Sequence, residues 1–75
     1  MKLPVISGKD LIKLLYKNFG YRPIRQKGDH VTITDDKHFV TVPLHNELDV
    51  GTLKGILSDC EISGDKFVTE YQKLH

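Results

Sequence analysis

Apolar and polar positions alternate with two different periods along this chain. Leu11, Ile12, Leu14, Leu15 and Phe19 recur at helical spacing, a stripe wide enough to cover a core. Ser7 ahead of them is a helix cap, with Asp10 at the reciprocal position, and Gly20 behind them is a helix stop. From Tyr21 the period falls to two. Tyr21–Lys27, His30–Asp35 and Phe39–Val42 read as strands, the first pushed towards an edge by Pro23. Gly28-Asp29 and Asp35-Asp36-Lys37 are the expected turns. Helical spacing returns in Leu53, Ile56, Leu57 and Cys60, with Asp49 as cap. It returns again in Phe67, Val68, Tyr71 and Leu74, with Ser63 opening that last helix.

The order is helix, three strands, helix, helix: an α+β domain with helices on one face of an antiparallel sheet. Alternation assigns Ile24, Val31, Ile33, Val40 and Val42 to the helix-covered face. Tyr21, Arg25, Lys27, His30, Thr32, Thr34, Phe39 and Thr41 fall on the other. That second set mixes cations, aromatics, hydroxyls and an imidazole, a composition suited to facing RNA.

Length bounds the rest. Seventy-five residues make a single domain, residues 1–75, with room for a small, open site only. One cysteine permits no intrachain disulfide, and Cys60 falls on a core stripe rather than at a reactive position. No targeting segment and no apolar run near the ~20 residues of a membrane span is visible, so a cytoplasmic protein is expected.

The formal charge of +1 hides an asymmetry. Residues 1–28 hold seven cations against one carboxylate, and residues 29–75 hold four cations against nine carboxylates. A cationic face for a polyanion is one reading of this; ordinary charged helix surfaces are the other.

Candidate chemistry gathers in Arg25-Gln26-Lys27-Gly28-Asp29-His30. Histidine alone has an unperturbed pKa, ~6.5, that lets it exchange protons near neutrality. Cations beside it suit phosphodiester chemistry. A surface turn that contains a histidine remains the alternative. His30, His38, His45 and Cys60 lack the short paired spacings of zinc sites, so no metal and no cofactor is expected. His45, after Pro43-Leu44, reads as a loop residue placed by the fold.

Placed in order, these pieces carry a resemblance. Ser7-Gly8-Lys9-Asp10-Leu11-Ile12-Lys13-Leu14-Leu15 precedes Phe19-Gly20-Tyr21 and the Arg25–His30 stretch. Val42-Pro43-Leu44-His45 and Gly51-Thr52-Leu53-Lys54-Gly55-Ile56-Leu57 follow. From about Ser7 to Phe67 the chain resembles the HicA-type toxins, the mRNA interferase half of HicA–HicB toxin–antitoxin pairs. The resemblance implies a double-stranded-RNA-binding-domain-like fold, α-β-β-β-α with an extra short C-terminal helix. It also implies metal-free RNA cleavage with the histidine of a glycine-x-histidine step as catalytic residue, here His30, and a HicB-type antitoxin as partner.

Where that family most often has serine, this chain has Asp29. The carboxylate can orient the ring, but it also puts negative charge where phosphate approaches. The expected function is therefore a metal-independent endoribonuclease acting on mRNA by 2′-hydroxyl attack. His30 would move the proton, Arg25 and Lys27 would hold phosphate, and Tyr21 and Phe39 would stack on bases. The alternatives are a non-catalytic RNA-binding module using the same sheet face, and a purely protein-binding partner whose cations meet an acidic antitoxin.

Overall fold

A computed structural model describes residues 2–74. Its elements are α1 (Gly8–Asn18), β1 (Arg22–Lys27), β2 (His30–Thr34), β3 (Phe39–Pro43), α2 (Val50–Asp59) and α3 (Gly64–Leu74). This is the expected α+β order, α-β-β-β-α with a further C-terminal helix. The sheet runs β1-β2-β3, antiparallel throughout, with one face covered by helices.

The helix ends follow local chemistry. Ser7 Oγ accepts the Asp10 N–H at 3.0 Å, and the chain leaves α1 through Gly20 at φ +74°, a left-handed turn that glycine adopts without strain. Ser63 Oγ likewise accepts the Lys66 N–H at the start of α3. Asp49 does occupy the cap position of α2, but its side chain makes no capping hydrogen bond. Leu11, Leu14 and Leu15 of α1, Leu53, Ile56 and Leu57 of α2, and Phe67 and Val68 of α3 bury against Val31, Ile33, Val40 and Val42. Cys60 joins that core; Leu74, expected on the apolar side of α3, is exposed.

Alternation fails first in β1, where the register gives the reason. The β1–β2 register runs Lys27↔His30, Gln26↔Val31, Arg25↔Thr32 and then Pro23↔Ile33, so Ile24 is the extra residue of a bulge. An inserted residue reverses the facing of everything before it. Ile24, expected inward, is 47% exposed, and Tyr21, expected on the outer face, is 3% exposed within the core. Tyr21 therefore cannot meet a base by stacking. Its hydroxyl makes no well-formed hydrogen bond; the neighbouring polar group is the Cys60 thiol. Burial first, and then that thiol, push the Tyr21 phenol upward.

Thr34 is a second exception. It is buried because its hydroxyl turns into the β2–β3 turn, donating to the His38 carbonyl at 2.7 Å and accepting the Asp36 N–H at 3.0 Å.

Two ion-pair groups pin the layers. Glu70, buried on α3, accepts from Asn18 Nδ2 of α1 at 2.8 Å and pairs with Lys73 and Lys66 at 3.0 and 3.4 Å. The Lys73 and Asn18 hydrogen bonds hold its carboxyl down to about 2. At the β2–β3 turn, His38 lies between Glu61, 2.6 Å from Nε2, and Asp35, 3.1 Å from Nδ1. Glu61, then Asp35, push the His38 imidazole upward. This clamp joins the sheet to the segment after α2.

Candidate active site

The outer face of the sheet is hollow at one end. Antiparallel pairing sets Arg25 beside Thr32, Thr32 beside Thr41, and Lys27 beside His30, and paired residues share a face. Those five side chains line an open concavity of about 310 Å³. No carboxylate is among them, so two permanent cations, two hydroxyls and an imidazole converge on one space. A phosphate group fits this chemistry: cations offset its charge and hydroxyls donate to its oxygens.

His30 is delivered by a tight turn. Lys27 and His30 pair directly, leaving Gly28-Asp29 as a two-residue loop. Gly28 at φ +61°, with Asp29 outside the positive-φ region, fits a type II′ hairpin, which wants glycine first. The turn puts Asp29 Oδ1 2.9 Å from His30 Nδ1. The contact sets the Nδ1 edge of the ring against the carboxylate and leaves the Nε2 edge for proton exchange, so Asp29 bears on the ring's orientation. The His30 side chain is 56% exposed, open to a substrate.

Arg25, Lys27 and His30, together with Thr32 and Thr41, therefore do share one face and one concavity. Phe39 is on the same face and 69% exposed, but at the opposite end of the sheet. It pairs with Thr34, whereas His30 pairs with Pro43. Four residues along β2 separate the two positions, ~13 Å at ~3.3 Å per residue. Tyr21 is absent from the face for the reason given above.

His45 is the neighbour that sequence reasoning set aside. Its Nε2 stands 3.7 Å from Asp29 Oδ2, so a single carboxylate lies between two imidazoles. Main-chain bonds fix this approach: the Leu44 N–H donates to the Asp29 carbonyl at 2.6 Å, and the Gly8 N–H to the His45 carbonyl at 3.0 Å. The available signal was register. Once His30 pairs with Pro43, a residue two places on must pass the β1–β2 turn.

The remaining reactive side chains belong elsewhere. His38 has both ring nitrogens held by carboxylates, and burial pushes the Cys60 thiol up, away from the reactive thiolate. Among the described residues, no group of three His, Cys, Asp or Glu side chains stands where it could hold a metal ion. No helix of the described residues is long and apolar enough to cross a membrane.

The fold and site define a small α+β protein with a cationic, histidine-bearing hollow on its open sheet face. The family model described as HicA toxin of bacterial toxin–antitoxin matches residues 8–62, which takes in α1, the whole sheet and α2. The chain belongs to that toxin family. Neither a curated protein nor a solved structure matches it.

Proposed function

We propose that this chain is a single-domain mRNA interferase, residues 1–75 forming a dsRBD-like unit that cuts RNA in the cytoplasm by attack of a ribose 2′-hydroxyl on its own phosphate. The observation that carries the reading is His30 at the head of a carboxylate-free concavity shared with Arg25 and Lys27. In that reaction the nucleophile is already tethered beside phosphorus, so proton transfer and charge stabilisation are what remain. His30 Nε2 takes the 2′-hydroxyl proton, a role worth ~10²–10⁴-fold in rate. Arg25 and Lys27 hold the phosphate and offset the charge that develops on its oxygens. Thr32 and Thr41 complete the floor as hydrogen-bond donors. Phe39, at its distance along β2, stacks on a base removed from the scissile phosphate.

The chemistry requires no metal. A toxin of a toxin–antitoxin family works against a neutralising partner, here a HicB-type antitoxin. An enzyme with so open a site is most simply blocked by covering it, and the cations beside His30 suit an acidic partner surface.

His30→Ala tests the reading. The purified variant should lose RNA cleavage while keeping the wild-type melting temperature, since the side chain is more than half exposed. Wild-type cleavage should survive excess chelator and fail on DNA or on RNA carrying 2′-O-methyl at the scissile nucleotide. A His30→Ala variant that cuts at the wild-type rate refutes the assignment. Tight RNA binding by the wild type without cleavage would make the chain an RNA-binding module instead.

A further inference from the structure

In-line displacement at phosphorus places the entering 2′-oxygen and the departing 5′-oxygen on opposite sides. A ring positioned for the first is on the wrong side for the second, and the 5′-oxygen leaves poorly unless it is protonated. The site therefore needs a second proton-transfer group, and few side chains qualify. Arginine does not give up a proton in proteins, which removes Arg25. Tyr21 is buried in the core. His38 is engaged at both nitrogens, in the turn at the other end of β2.

Lys27 is given to the phosphate in the reading above, which leaves His45, and three observations place it. It is 3.7 Å from the carboxylate that orients His30. Its main chain is tied to the start of α1 through Gly8, and its neighbour Leu44 to the β1–β2 turn. It also lines a second, largely apolar concavity of about 500 Å³ between α1 and β1, where Lys9 and Lys13 stand beside Ile12, Val31 and Leu44. His30 lines one hollow and His45 the other, and Asp29 lies within 2.9 Å of the first ring and 3.7 Å of the second.

We propose that His45 is the second catalytic histidine, the general acid for the leaving group, with Asp29 as the positioning residue shared by both rings. This deepens the ribonuclease reading above and rests on it. His30 Nε2 takes the 2′-hydroxyl proton as the 2′-oxygen–phosphorus bond forms. The phosphorus–5′-oxygen bond breaks, and the 5′-oxygen takes a proton from the His45 imidazolium. The products are a 2′,3′-cyclic phosphate and a free 5′-hydroxyl, with one proton taken up by His30 and one given by His45. The strand that leaves lies in the groove beside Lys9 and Lys13, whose charges face its phosphates.

The test compares two substrates of one sequence, ordinary RNA and RNA whose scissile 5′-oxygen is replaced by bridging sulfur. A thiolate departs without protonation, so an enzyme lacking only its general acid should still cleave the second. His45→Ala should slow cleavage of ordinary RNA ~10²–10⁴-fold and abolish the alkaline limb of its pH–rate profile. On the sulfur-bridged RNA its rate should return close to wild type. His30→Ala should stay slow on both. The His45 side chain is 58% exposed, so the melting temperature should not change. Equal slowing of His45→Ala on the two substrates, or normal cleavage of ordinary RNA, overturns this role while leaving the ribonuclease reading intact. A wild-type protein that cleaves neither substrate overturns both.

Discussion

Replacing Gly8 with alanine perturbs the junction on which the position of His45 depends. A Cβ at Gly8 would lie 1.9 Å from the Pro43 carbonyl oxygen, 2.9 Å from its carbon and 3.1 Å from Leu44 Cα. All three are backbone atoms, so no side chain can swing aside. Ordinary contact begins near ~3.5 Å, so the first turn of α1 and the end of β3 must separate by on the order of 1.5 Å. Overpacking of this kind costs ~1–3 kcal/mol, and stretching the Gly8 N–H to His45 carbonyl bond adds about 1 kcal/mol. Alanine returns at most ~1 kcal/mol of helix propensity at this first helical position. A net loss of ~1–3 kcal/mol lowers the melting temperature of a domain this size by about 5–20 °C. Thermal denaturation followed by circular dichroism reads that shift. Gly55→Ala, at a position in the middle of α2 where a Cβ meets open space, is the internal control and should raise the melting temperature. A Gly8→Ala protein melting with the wild type would refute the packing argument. RNA cleavage by Gly8→Ala, measured well below its melting temperature, should also fall, because the loop carrying His45 moves with Pro43 and Leu44.

Two further tests follow from charge. His38 is raised above its ordinary 6.5 in the folded state, so its ion pairs stabilise fully below ~6.5 and are lost as pH rises through the folded value. Desolvation of Asp35 acts the other way, but N–H groups of His38 and Lys37 and the His38 ring hold that carboxyl at about 2 against an ordinary 3.8. Its contribution is present above 3.8 and fades as pH falls towards 2. The wild-type melting temperature should therefore drop more steeply than that of His38→Gln between pH 6.5 and 8; parallel curves would remove the clamp. Arg25→Ala and Lys27→Ala should each weaken RNA binding and flatten its log–log salt dependence by up to about one unit, as loss of one phosphate contact does. An unchanged slope in both variants would place the RNA elsewhere and favour a protein partner for these cations.

Local physics made most of this chain legible from its residues. Helix periodicity with Ser7, Ser63 and Gly20 at the ends, and Val/Ile alternation in β2 and β3, produced the element order and the buried face. The Arg25–His30 stretch placed cations and an imidazole on one surface because the tight Gly28-Asp29 turn keeps Lys27 and His30 paired. What failed was whatever depended on partners distant in sequence. A bulge at Ile24 is a property of the β1–β2 register, invisible in the period of β1 alone, and it exchanged Ile24 and Tyr21 between core and surface. His45 read as an ordinary loop residue because its meaning lies in Asp29, sixteen positions earlier, and in Gly8, which has no side chain to keep α1 away from β3. Sequence fixes the inventory and the local geometry of each element; only closure of the sheet against α1 brings a second imidazole to the same carboxylate.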